Sequence, residues 1–187
     1  MNKGITLIET VVAVTVLTFA LGGPFLLAAK SLRSAAYARE EIAAARLGEE
    51  ALEVIHNMRD NNSARGLSWA ANIATTCASP GCLIDIRQQQ SGVTGSKTIW
   101  ANSALVPCLS GISSCPVYQF TDGMYGQMAS PPAGWTDTGM KRVIVVTPIN
   151  TNNEYRVDVE VDYPAGTQIR KVFLHDTIMN WFPALPI

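Results

Sequence analysis

Apolar and polar positions follow three different periods along this chain, and each period occupies its own stretch. From Thr10 to Ala29 no charged residue occurs and no polar face can be drawn. About 20 helical residues at 1.5 Å each span roughly 30 Å, the thickness of a bilayer's hydrocarbon core. Residues 30–60 change character: they are rich in Ala, Glu, Arg and Leu, all good helix formers. Here Leu47, Ala51, Val54, Ile55 and Met58 recur at steps of three and four as one apolar stripe, while Glu40, Glu41, Glu49 and Glu50 lie largely elsewhere around the helix. The two stretches predict one helix from about residue 5 to residue 60, roughly 80 Å long. Asn61-Asn62 followed by Gly66 marks its end. Gly22-Gly23-Pro24 predicts a kink or a locally unwound turn, because proline removes a helix hydrogen bond and crowds the preceding turn. Lipid-embedded or closely packed helices absorb such a defect.

The C-terminal stretch has a period of two. "EYRVDVEVDY" (154–163) puts Tyr155, Val157, Val159 and Val161 on one face and acids with Arg156 on the other. Before it, "KRVIVVTP" (141–148) carries an unbroken β-branched run suited to a central strand. After the turn at Pro164-Ala165-Gly166, "TQIRKVFLHDTIMNW" supplies Val172, Leu174 and Ile178 as core residues. Three antiparallel strands, over about residues 140–182, are expected to cover the helix's apolar stripe. Residues 63–139 are rich in Gly, Ser, Pro, Asn and Thr and read as loops with short elements, "CLIDI" and "KTIWA" being strand candidates. The expected fold class is therefore α+β: a long N-terminal helix on a small antiparallel sheet. The expected segments are a leader (1–4), a membrane-spanning helix half (5–29), an amphipathic half (30–62) and a globular head (63–187).

Charge and cysteines narrow the function classes. The net charge is −1 with both signs scattered, so there is no electrostatic case for nucleic acid or an anionic surface. Cys77 and Cys82 bracket "ASPG", and Cys108 and Cys115 bracket "LSGISS", both turn-forming. Four cysteines allow three pairings and the sequence alone does not fix one; local closure, 77–82 and 108–115, is favoured. Neither pair has zinc-ligand spacing and no histidine is near, so no metal is expected. Disulfides place the head outside the cytoplasm. Lys30, Arg33 and Arg39 offset Lys3, so flanking charge adds no orientation signal. His56 and His175 read as surface or packing residues, and no phosphate loop or catalytic grouping is recognisable; neither enzyme activity nor a cofactor is expected. The sequon Asn61-Asn62-Ser63 reads as chance.

Glu9 is the anomaly. A carboxylate in hydrocarbon costs on the order of 3 kcal/mol on insertion scales and implies a partner or a task. Gly4-Ile5-Thr6-Leu7-Ile8-Glu9, with the apolar helix that follows, resembles the leader of type IV prepilins: a short basic segment ending in Gly, an apolar residue, and Glu four positions on. Ile5 departs from the usual Phe. The resemblance covers about the first thirty residues. It implies cleavage after Gly4 by a prepilin peptidase, N-methylation at Ile5, and assembly with other pilin subunits through the N-terminal helix. An ordinary signal peptide fits less well, since the apolar stretch is long and the nearest small-residue site, Ser34-Ala35-Ala36, lies beyond Lys30 and Arg33. Physically, a cut chain carries an amine at Ile5 and a carboxylate at Glu9 one helical turn apart. The helix dipole favours an acid there by typically 0.3–1 kcal/mol, and Glu9 of one subunit can pair with the Ile5 amine of another to set register.

The helix-plus-sheet head and its final hairpin resemble minor pilins. The C-terminal disulfide loop of many major pilins is absent. The expected protein is thus a minor pilin: a single-pass precursor in the cytoplasmic (inner) membrane, then part of a surface pilus. A minor pseudopilin of a type II secretion system shares the leader and helix. A permanently anchored binding ectodomain is a third reading, and would retain Met1.

Overall fold

The computed structural model describes residues 6–85, 89–91, 98–100, 104–128, 130–131, 133–150 and 153–180. The chain forms two compact units that meet between Arg39 and Glu40. Gly4 and Ile5 lie outside the described residues.

In the first unit the chain is helical from Leu7, the start of α1 (Leu7–Ala64), and every residue from Thr6 to Arg39 is exposed. The hydroxyls of Thr10, Thr15 and Thr18 donate to carbonyls one turn back, so their polar atoms are satisfied within the helix. The locally unwound turn expected at Gly22-Gly23-Pro24 does not occur: α-helical backbone continues through all three. Pro24 forfeits one amide bond, which the turns on either side carry. This part of α1 is long and apolar enough to cross a membrane.

The second unit is an α+β head whose core includes the remainder of α1. Leu47, Ala51, Val54, Ile55 and Met58, the stripe read from the sequence, are all buried, and Ala44 extends it by one turn. The helix runs past the expected stop at Asn61-Asn62. Asn62 is buried and its Nδ2 donates to the carbonyls of Trp69 and Ala71 at 3.3 and 3.0 Å, so it anchors the following loop instead of breaking the helix. The end comes at Gly66, whose φ of +70° suits a residue without Cβ. There Leu67 N–H donates to Asn62 and Gly66 N–H to Ser63, the paired bonds of a Schellman close.

Against the stripe lies a seven-stranded antiparallel sheet. Its three long strands are β8 (Trp135–Asn150), β9 (Glu154–Ala165) and β10 (Gln168–Met179). They match the expected hairpins, but the sheet is not confined to about residues 140–182. β1 (Cys82–Ile84), β4 (Leu105–Pro107), β6 (Pro116–Phe120) and β7 (Tyr125–Gln127) complete it. The order is β10-β9-β8-β1-β4, with β6 joining the early part of β8 and β7 joining β6. Strand β8 starts before residue 141 because its N-terminal half, "WTDTGM", has β6 to pair with. These added strands are short, and Cys82 of β1 and Cys108 and Cys115 beside β4 and β6 tie them to the disulfides. β2 (Gln89–Ser91) and β3 (Thr98–Trp100) form a separate pair, β5 (Leu109–Ile112) lies within the second disulfide loop, and α2 (Ile73–Thr76) precedes the first.

On the helix side the core holds Met140, Ile144 and Val146 of β8, Val157, Val159 and Val161 of β9, and Ile178 of β10. Val172 and Leu174 are half-buried against it. On the opposite side a smaller cluster of Leu83, Cys108, Cys115 and Val143 packs under the second disulfide loop. At Gly81 (φ +109°) a Cβ would come within 2.8 Å of the Ile144 carbonyl oxygen, so only glycine lets the first disulfide turn lie on β8.

Candidate functional site

Two features stand out: the exposed apolar helix with its single acid, and the polar anchor that ties α1 to the head. Glu9 sits in the first turn of α1, where the dipole favours a carboxylate. Its backbone N–H donates to Thr6 at 3.0 Å and its side chain is exposed. Between Thr6 and Ala29 it is the sole ionisable group. Around it the helix presents large apolar side chains outward, with Phe19 86% and Phe25 77% exposed. Such a surface in water would be costly at about 25 cal/mol per Å². Lipid or other apolar helices are the surroundings it fits.

The anchor is Arg142, which sequence reasoning passed over. It is fully buried, and its Nε and Nη1 both have partners. Nε donates to Gln127 Oε1 at 2.8 Å, Nη1 donates to the carbonyl of Leu47 in α1 at 2.7 Å, and Nη1 lies 3.5 Å from Glu50. Gln127, also buried, donates through Nε2 to the carbonyls of Arg142 (2.7 Å) and Cys115 (3.1 Å). Burial lowers the Arg142 pKa, and Glu50 opposes that shift by favouring the charged form. The signal was available: Met140, Arg142, Ile144 and Val146 alternate onto one face, and the β-branched run between them hid the period.

A second tie joins α1 to β10. His56 Nε2 and Asp176 Oδ2 are 2.8 Å apart, and this bond holds the Asp176 carboxyl below the usual carboxylate range. Gly48 completes the approach, since a Cβ there would meet Leu174 Cδ1 at 2.3 Å. His56 is therefore a hydrogen-bonding residue at the helix–sheet contact. His175 faces away from the helix and, with Val145, Asp158 and Phe173, lines an open groove of about 380 Å³.

The four cysteines pair as Cys77–Cys82 and Cys108–Cys115, with Cα separations of 4.6 and 5.8 Å. Among the described residues no group of three His, Cys, Asp or Glu side chains is placed to hold a metal. No protein-family model matches this chain, and no curated protein or solved structure matches it either.

Proposed function

We propose that this chain is a structural subunit of a type IV pilus, a minor pilin. In this reading it is inserted as a single-pass precursor, cut after Gly4, methylated at Ile5, and assembled with other pilin subunits through the first part of α1. The observation that carries the proposal is Glu9: one carboxylate in the first turn of a helix otherwise apolar and exposed to Ala29. A carboxylate that must leave water is stabilised by a positive partner, and the Ile5 amine of a neighbour supplies one in a bundle of such helices. The disulfide-stapled α+β head supports a location outside the cytoplasm.

Intact-mass and N-terminal analysis of the membrane-extracted protein tests the reading. The expected result is loss of residues 1–4 and one added methyl on Ile5, with Gly4→Leu accumulating uncut. A mature chain that still begins at Met1 would instead indicate a permanent anchor.

A further inference from the structure

The edge of the sheet at β10 has a property that the pilus reading does not use. β10 is twelve residues long, contains no proline, and pairs with β9 residue for residue with no bulge. Among the described residues no strand pairs with its outer side. Natural sheets protect such an edge by shortening, bulging, proline, charge or cover, because free N–H and C=O groups invite another strand. Here the strand has charge alone, at Arg170, Lys171 and Asp176, and Lys171 is already held by Glu160 and Asp162 of its own chain.

The register decides which backbone groups are free. Asn180 N–H donates to the Asn153 carbonyl, continuing the β10–β9 ladder. In an antiparallel ladder, hydrogen-bonded and non-bonded pairs alternate. The even-numbered residues of β10 therefore spend their backbone groups on β9. The two-residue turn between Ala165 and Gln168 agrees, since its closing pair is hydrogen-bonded. Ile169, Lys171, Phe173, His175 and Thr177 direct theirs to the open edge.

We infer that this edge is a self-complementary surface on which a second copy of the chain pairs antiparallel, β10 to β10, about a two-fold axis at Phe173. Centred there, the free odd-numbered residues face one another and can exchange both backbone bonds. The even-numbered residues then form the non-bonded pairs, whose side chains approach more closely. Arg170, exposed and without an ion partner among the described residues, falls opposite Asp176 of the second copy, which also holds His56 of its own chain, and the symmetry makes this contact twice. Val172 falls opposite Leu174, an apolar match. On the other face Phe173, 66% exposed, meets its own copy at the axis. Lys171 meets His175 while remaining held by Glu160 and Asp162 of its own chain. A centre shifted by one residue toward either end would place Arg170 against Leu174 or Ile178 and lose both ion pairs.

Where Gly48 meets Leu174 and His56 meets Asp176, α1 and β10 run in the same direction. The two-fold therefore turns the two head helices antiparallel.

The full chain in detergent, where copies turn freely, provides the test. All four native cysteines are in disulfides, so an added one reports alone. Residue 173 opposes itself at a Cα separation of about 5.5 Å, within disulfide reach, whereas residue 169 lies far from its own copy. Under mild oxidation Phe173→Cys should give covalent dimer at least about tenfold above Ile169→Cys. Arg170→Asp should weaken association of the parent chain about tenfold through two lost pairs and new like-charge contacts, whereas Arg170→Lys, which keeps the charge and leaves the His56–Asp176 bond in place, should retain it. Circular dichroism establishes that each variant is folded. A folded Phe173→Cys that stays monomeric, or links no better than Ile169→Cys, overturns the inference, as does a folded Arg170→Asp that associates as strongly as the parent.

Discussion

The two parts of α1 share a backbone conformation and differ in almost everything else. Every residue from Thr6 to Arg39 is exposed, whereas Ala44, Leu47, Gly48, Ala51, Val54, Ile55, Met58 and Asn62 are buried. Within the first part, Thr10–Ala29 is apolar all round and brings no sheet of its own; the second part is apolar on one stripe and has strands cut to fit it. A helix apolar all round needs an apolar medium or many neighbours, while a striped helix needs one covering layer. The lesson is that the pattern around the helix, more than its apolar content, decides whether the chain supplies its own cover.

The strongest test of this contrast removes the tie on the covered side. Arg142→Ala would leave the Leu47 carbonyl and Gln127 Oε1 unpaired around a cavity, while Glu50, 41% exposed, stays in contact with water. Each buried acceptor left unpaired costs about 1–3 kcal/mol, and the cavity adds to that. The head should lose cooperative unfolding or melt far lower in thermal denaturation, while membrane insertion in a carbonate-extraction assay stays as in the parent.

A matched pair of truncations comes next. Ile55 is fully buried, so Ile55→Ala should destabilise the head by about 2–5 kcal/mol. Leu17 is 59% exposed, so Leu17→Ala should shift head stability by under about 0.5 kcal/mol. Denaturant unfolding monitored by Trp fluorescence reads both, and similar losses in the two variants would dissolve the distinction.

The smallest effect concerns the His56–Asp176 tie. Because the bond from His56 lowers the Asp176 pKa, the folded state favours the ionised carboxyl, and that contribution is present above about pH 4 and fades as pH falls below it. Asp176 is 48% exposed, so solvent screening holds the effect under about 1 kcal/mol. Asp176→Asn should therefore melt slightly below the parent at pH 7, with the gap closing near pH 3.

How much of this could be read beforehand follows from the strength of each local pattern. The stripe on α1 and the alternation of β9 were legible because burial imposes a period that survives in the residues. The two local disulfides were favoured because turn residues fill both short spacings. Arg142 was not legible as a core residue, since the flanking Val-Ile-Val-Val run suits a strand buried on both faces and masks the alternation that turns it inward. β6 and β7 were missed because three- to five-residue strands containing Gly, Pro and Gln have little period to show; β8 and the Cys108–Cys115 loop determine where they lie. At Gly22-Gly23-Pro24 the helix continues, so of the two expected forms, a kink or a locally unwound turn, the unwound turn is the one that does not occur. Gly4, Ile5 and Glu9 were picked out by resemblance, and Glu9 also by the cost of its charge.

Glu9 is where the account is most exposed to refutation. Removing its charge should make the apolar segment easier to insert, by up to on the order of 3 kcal/mol. Glu9→Val should accordingly reach the membrane and be cut after Gly4 as well as the parent. A first-turn acid at the membrane interface that served only the helix dipole would contribute no more than about 1 kcal/mol and would not govern assembly. The decisive quantity is the amount of this subunit in sheared filaments relative to the membrane fraction, measured for the parent and for Glu9→Val in the same cells. The account predicts normal membrane levels and loss of the variant from filaments; equal incorporation of the two would contradict it.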